Sequence, residues 1–175
     1  VAVVSTAMGD DALNNQNPGP DIDWISVTPS GDREEYASVV EASQLGPEGD
    51  TSNTRDDVSA VLGEPDTAPT PDSCDLFAFP GYVALGGDGG FVVVSFGAPE
   101  LTRGTVSVLE INADTCEGAT AERPDTYEVW FTTDARNARS VRRAAEIRDE
   151  WCLVGRKGGT GGSFSGAIDI TECDR

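Results

Sequence analysis

The chain has no histidine and only one lysine, Lys157, among its 175 residues. Without histidine, a serine or cysteine nucleophile lacks its usual general base, and zinc lacks one of its common ligands. The glycine-rich basic stretch GRKGGTGGS fits neither the Walker pattern nor the dinucleotide fingerprint. No apolar run approaches the roughly 20 residues of a membrane-spanning helix. We therefore predict a protein that is not an enzyme and does not span a membrane.

Basic residues are few in general, with 12 against 31 acidic residues and a net charge of −19. A surface of this sign repels phosphate backbones and anionic lipid head groups, which excludes nucleic acid as a partner. It is typical of a soluble secreted protein, and it also suits high salt or the capture of divalent cations. Five arginines cluster in ARNARSVRRAAEIRD, residues 135–149, where Val141, Ala144, Ala145 and Arg148 recur at helical spacing, which predicts one surface helix or helical turn. This basic face is either solvated or a docking surface for an acidic partner.

The four cysteines are dispersed, without any C-x-x-C spacing. An even number of such cysteines in an acidic chain indicates two disulfides and an oxidising compartment, so we expect a secreted, extracellular or cell-surface protein. The start at Val1 without methionine fits a mature chain after removal of a signal peptide, and a domain excised from a longer chain would begin in the same way. From the positions of the cysteines relative to the predicted strands, we expect the pairs Cys116–Cys152 and Cys74–Cys173.

Short strand patterns dominate the rest of the chain. YVALGGDGGFVVVSF, residues 82–96, is typical of a β-hairpin with a glycine-rich turn. Further strands are predicted in DIDWISVTPSG, TVSVLEIN, TYEVWFTTD, EWCLVG and GSFSGAIDIT, whereas REEYASVVEASQLG, residues 33–46, fits a helix and a strand equally. Asp57 is the expected N-cap of a very short helix that ends at Gly63. The predicted fold class is all-β, an antiparallel β-sandwich of the jelly-roll kind with one or two short helices.

The first residues, VAVVSTAM, are β-prone and are followed by a polar tether rich in Asn, Pro and Gly. We predict that residues 1–31 form an N-terminal strand and linker, separable from a sandwich domain of residues 32–175. A sticky strand on a tether either pairs with its own sheet or completes the sheet of a neighbour. In the second case Val1, Val3 and Val4 are the assembly residues.

The order of the motifs YASVV, SAVLGEPD, YVALGGDGGFVVVSFG, EVWFTTD, WCLVG and GGTGGSFSGAIDI resembles secreted bacterial cell-surface domains of the discoidin-like, or galactose-binding-like, jelly-roll group. The resemblance covers about residues 36 to 171. Two features depart from the group: the arginine-rich insertion before EWC and the many prolines near the acidic turn.

This resemblance implies two binding capacities. One is a structural Ca²⁺, a hard cation that takes six to eight oxygen ligands from loops. The other is carbohydrate binding by aromatic side chains on loops. The candidate calcium ligands are Asp56, Asp57, Asp66, Asp72 and Glu172, and the candidate sugar-binding residues are Trp24, Phe77 and Phe79.

Two functional hypotheses follow. In the first, the protein is a self-assembling extracellular structural subunit of a filament, sheath or matrix, whose partners are further copies that it contacts through its N-terminal strand. In the second, it is a cell-surface adhesion or carbohydrate-binding module, stabilised by calcium, whose partners are glycans or another surface protein.

Overall fold

The structure, a computed structural model, describes residues 1–6, 19–46, 57–65, 81–97, 101–110, 126–158 and 162–173. These residues form two sheets of antiparallel strands that pack face to face, with two short helices. The predicted all-β sandwich is therefore confirmed.

The first sheet has five strands in the spatial order β4-β6-β1-β8-β9, and every neighbouring pair is antiparallel. β-branched and aromatic residues dominate its central strands, as expected for strands buried on both faces. The strands are β1 (Ala2–Ser5), β4 (Val39–Gln44), β6 (Phe91–Ser95), β8 (Tyr127–Phe131) and β9 (Cys152–Lys157).

The second sheet has the order β10-β7-β2-β3, and β5 pairs with the beginning of β2. β2 carries a bulge between Ile22 and Trp24, where its pairing with β7 shifts. The strands are β2 (Asp21–Pro29), β3 (Glu35–Tyr36), β5 (Val83–Ala84), β7 (Arg103–Glu110) and β10 (Gly162–Asp169).

The arginine-rich insertion forms two helices, α1 (Ala135–Ser140) and α2 (Ala144–Glu150), where the sequence predicted one. The side chain of Asp134 caps α1 by accepting from two backbone N–H groups of its first turn. The short helix predicted after Asp57 is a 3₁₀ turn, Val58–Val61, and Asp57 caps it as expected.

Two apolar clusters hold the described part of the fold together. One lies between the sheets, and the other lies between the outer face of the first sheet and the two helices. Alternate residues of β1 contribute to both, because successive side chains of a strand point to opposite faces. The first cluster includes Val1, Val3, Ile25, Val27, Val94, Val108, Tyr127 and Phe131, and the second includes Ala2, Val4, Val93, Trp130, Ala138, Ile147 and Trp151.

Two local predictions need correction or completion. The hairpin predicted over residues 82–96 is wrong, because β5 pairs in the second sheet and β6 in the first. The glycine-rich turn carries the chain from one sheet to the other, and Gly90 lies so close to the Leu85 carbonyl that a Cβ there would clash. The stretch that fitted a helix and a strand equally is extended, forming β3 and β4.

The N-terminal segment contributes one strand to each sheet of the sandwich. β1 is the middle strand of the first sheet and β2 is an interior strand of the second. The boundary was predicted after residue 31. Each sheet therefore contains one strand from before this boundary and further strands from after it. Whether β1 also completes the sheet of another copy stays a prediction.

Candidate functional site: the β1 slot

The gap between β6 and β8 is filled by β1, and we call this gap the β1 slot. Val3 lies opposite Val92 of β6 on one side and Val129 of β8 on the other. The four residues of β1 are fully buried. In the sheet order, β1 alone connects β6 to β8. Removing β1 would therefore split the first sheet into two two-stranded pieces and uncover both apolar clusters.

A cleft of about 200 Å³ lies at the Val1 end of the slot. The Val1 nitrogen donates to the Val94 carbonyl at 2.9 Å, and the Val94 N–H donates back to the Val1 carbonyl at 2.8 Å. The cleft therefore begins where the ladder between β1 and β6 ends. Its walls combine apolar and polar side chains: Val27, Phe96, Leu101, Phe131 and Ala138 on one hand, and Glu41, Ser95, Thr132, Thr133 and Asp134 on the other.

The carboxylate of Glu41 is fixed at the wall of this cleft. It accepts a hydrogen bond from the Ser95 hydroxyl at 2.7 Å and one from Arg139 Nε at 3.0 Å. The Ser95 hydrogen bond and, to a smaller extent, Arg139 lower the pKa of Glu41, although burial acts in the opposite direction. The cleft thus has an ionised carboxylate, paired with Arg139, beside apolar side chains.

An ionic cluster lies at the other end of the slot, near Ser5. Glu128 of β8 bonds to Arg148 Nε and to Arg156 Nε, both at 2.9 Å, and accepts from the Trp130 indole at 3.2 Å. Arg148 also bonds to Asp88 at 3.1 Å, in the turn before β6. α2 is thereby linked to β8, to β9 and to the turn that leads into β6. The ionic cluster thus connects the elements that surround the Ser5 end of β1.

The two ends of the tether between β1 and β2 meet at Gly86. The Ser5 hydroxyl donates to the Gly86 carbonyl at 2.7 Å. Gly19, whose φ is +83°, packs so closely against the Gly86 backbone that a Cβ would clash. Residues 7–18 therefore connect two points that lie close together when β1 occupies the slot of its own chain.

The outer face of the second sheet presents an aromatic pair. Ile25 and Val27 of β2 belong to the cluster between the sheets, so Trp24 and Ser26 point outward. Trp24 lies edge-to-face against Tyr36 of β3, with ring centroids 6.0 Å apart. Near Tyr36, both carboxylate oxygens of Glu34 accept hydrogen bonds from side chains of this face, from Ser26 at 2.6 Å and from Tyr36 at 3.3 Å. Trp24 is thus the one predicted sugar-binding residue that the structure describes; Phe77 and Phe79 lie outside the described residues.

Of the predicted calcium ligands, the structure describes the side chain of Asp57 and the backbone position of Glu172. Asp57 caps the 3₁₀ turn through Ser59, whose hydroxyl and, to a smaller extent, backbone N–H lower the pKa of the carboxyl. Glu172 lies in the last described 3₁₀ turn, Ile170–Glu172. Among the described residues, no three acidic or cysteine side chains group as metal ligands. The remaining candidates, Asp56, Asp66 and Asp72, lie outside the described residues.

The cysteine pairing differs from the expectation. Cys152, at the start of β9, is bonded to Cys173, just after β10, and their Cα atoms are 5.5 Å apart. Neither Cys116–Cys152 nor Cys74–Cys173 can coexist with this bond, so the predicted pairing is wrong. The ends of two strands from different sheets meet here, a proximity that strand order along the chain does not reveal. Cys74 and Cys116 lie outside the described residues.

The ionic cluster was missed from the sequence, although a signal was present. Glu128 interrupts the apolar run TYEVWF at a position between two residues that point to the cluster between the sheets. A carboxylate in a strand that is otherwise apolar on both faces indicates a buried charge with a cationic partner. The arginines of the insertion that follows β8, among them Arg148, were the available cationic partners.

Comparison of the chain with family models, with curated proteins and with solved structures finds no match. The resemblance to the discoidin-like group therefore stays a prediction. Neither helix in the described part of the chain has the length and apolar character that crossing a membrane would require.

Proposed function

We propose that the protein is a non-enzymatic extracellular subunit that self-assembles by placing its β1 in the slot of a neighbouring copy. The observation that carries this proposal is the position of β1, which is a fully buried interior strand joined to β2 by the polar stretch of residues 7–18. Such a strand makes the same hydrogen bonds and apolar contacts whichever chain supplies it. The Cys152–Cys173 disulfide suits the oxidising compartment that this role requires.

The length of the tether determines whether β1 occupies the slot of its own chain or the slot of a neighbouring copy. Residues 7–18 can span at most about 40 Å when extended, which is enough to reach an adjacent subunit. Because the tether keeps β1 at an effective concentration on the order of millimolar, pairing within the chain dominates in dilute solution. Exchange is favoured when the protein concentration approaches that value. An exchange that does not close into a ring propagates as a fibre.

A covalent lock tests this proposal. Val1 and Val94 exchange both backbone hydrogen bonds, so Ala2 and Val93 form the adjacent non-hydrogen-bonded pair, whose close Cα atoms suit a disulfide. The variant Ala2→Cys/Val93→Cys is oxidised in dilute solution, which holds β1 in its own slot. We expect the unmodified protein, refolded at millimolar concentration, to form oligomers by light scattering, and the locked variant to stay monomeric.

The matched control places a disulfide elsewhere. Thr105 and Ala167 lie opposite each other on β7 and β10, away from the slot. Thr105→Cys/Ala167→Cys should assemble like the unmodified protein. A locked variant that assembles as well as this control would show that assembly does not use β1, and an unmodified protein that stays monomeric at every concentration would overturn the proposed function.

Carbohydrate binding is a second candidate, favoured by the outer face of the second sheet. Trp24 and Tyr36 offer apolar ring surface, and Glu34 beside them offers carboxylate acceptors for hydroxyl groups. Calcium, which the resemblance implies for a module of this kind, stays a prediction. Titration with neutral oligosaccharides should perturb the Trp24 indole resonance, and Trp24→Ala should abolish binding while Val39→Ala, on the other sheet, leaves it unchanged. Binding that survives Trp24→Ala would exclude this face.

A further inference from the structure

The β1 slot is longer than β1 itself. Val1 lies opposite Val94 of β6, and the chain continues beyond Val94 through Ser95 and Phe96. On the other side, β8 ends at Phe131 and continues through Thr132 and Thr133. All of these residues line the cleft of about 200 Å³. The cleft is therefore bounded on two sides by the continuations of the strands that flank β1.

The alternation of β1 fixes which way additional residues of the strand would face. Val1 and Val3 belong to the cluster between the sheets, and Ala2 belongs to the cluster under the helices. A residue two positions before Val1 would share the orientation of Val1. It would face the apolar part of the cleft, where Val27 and Leu101 lie.

The residue immediately before Val1 would share the orientation of Ala2. It would face the outer side of the sheet, where the Ser95 hydroxyl bonds to Glu41 and Glu41 bonds to Arg139. A small polar or basic side chain suits this position, since the Glu41 carboxylate is nearly buried and charged. The backbone of these residues would continue the ladder, first toward Thr132 and then toward Phe96.

We infer that the cleft is a peptide-binding extension of the β1 slot. It accepts two further residues of an extended strand, with a small polar or basic residue just before the position of Val1 and an apolar residue before that. The inference deepens the proposed function, on which it rests for its biological role, because it describes the strand that the slot prefers. It holds for the slot whichever chain supplies the strand.

Extensions of the full chain test this inference without any exchange between subunits. Three versions carry Leu-Ser, Gly-Ser or Asp-Ser directly before Val1. All three convert the Val1 amino group into a peptide bond, so they differ only in the side chain that would enter the apolar part of the cleft. The readouts are thermal unfolding in dilute solution and hydrogen exchange of the Phe96 amide.

Leu-Ser should raise the melting temperature by about 3 to 10 °C over Gly-Ser, because a leucine becomes buried. Asp-Ser should melt below Gly-Ser. The Phe96 amide should exchange more slowly in the Leu-Ser version than in the chain that begins at Val1. Equal melting of all three versions would overturn the inference. Because the measurement is made on monomers, a failure of strand exchange would leave its outcome unchanged.

Discussion

Glu128 should contribute more to stability than the surface ion pairs of this protein. Its side chain is 8% exposed, and its two oxygens bond to Arg148, Arg156 and Trp130. Breaking a fully buried ion pair costs about 3 to 5 kcal/mol, but Arg148 is 32% exposed, which reduces the loss. We expect Glu128→Gln to lower the free energy of unfolding by about 1 to 3 kcal/mol, which is a decrease of about 2 to 10 °C in melting temperature.

The pH dependence of this loss has a definite sign. Burial acts to raise the pKa of Glu128, but hydrogen bonds from Arg156, Arg148 and Trp130 outweigh it and lower the pKa. A lowered pKa means that the contribution to stability is present above the unfolded value of about 4.3 and is lost as the pH falls through the folded value. The difference between the protein and Glu128→Gln should therefore be largest near neutral pH and shrink below about pH 4.

The assay is urea unfolding of both proteins over a range of pH, with Arg103→Gln as the control. Arg103 is 63% exposed and pairs with Asp169 at 3.0 Å, so its loss should cost no more than about 1 kcal/mol. If Glu128→Gln is as stable as Arg103→Gln at pH 7, or if its deficit grows in acid, the reasoning about the ionic cluster is refuted.

Two further predictions concern the backbone and the disulfide. Gly19→Ala should destabilise the protein by about 2 kcal/mol more than Gly31→Ala, because both glycines have positive φ but, of the two, only Gly19 meets a neighbouring backbone. Urea unfolding of the two variants measures this difference, and equal losses of stability would contradict the close approach of Gly19 to Gly86. Peptide mapping without reduction should find Cys152 linked to Cys173, and replacing both by alanine should cost about 3 kcal/mol; a fragment linking Cys116 to Cys152 would show the pairing to be wrong.

Local patterns were sufficient to predict most of the strands, but not β3 and β4, whose sequence fitted a helix equally well. Alternation in DIDWISVTPSG and the β-branched run FVVVS indicate extended structure by themselves, because each residue choice suits a pleated, buried surface. The capping function of Asp57 followed from equally local chemistry. The class of the fold follows from such strands once long helices are excluded.

Strand partners were not predictable in the same way. The turn at 85–90 has the glycines of a hairpin, yet it joins strands of different sheets, since glycine permits both a tight turn and a crossing. The pairing of Cys152 with Cys173 likewise depends on where two strand ends meet in space. For the candidate site, the sequence predicted that VAVV would be a strand, but its place between β6 and β8 depends on contacts with residues about 90 to 130 positions away.

The central claim is that β1 of one copy can occupy the slot of another, and an inter-chain disulfide tests it most directly. A chain with Ala2→Cys is mixed with a chain that carries Val93→Cys and a C-terminal tag, and the two are refolded together at millimolar concentration and oxidised. A chain with the exposed Val39→Cys replaces the second partner as the control. The account predicts a disulfide-linked dimer of the Ala2→Cys and Val93→Cys chains and none with the Val39→Cys chain. Absence of that dimer, or equal cross-linking in the control, would contradict it.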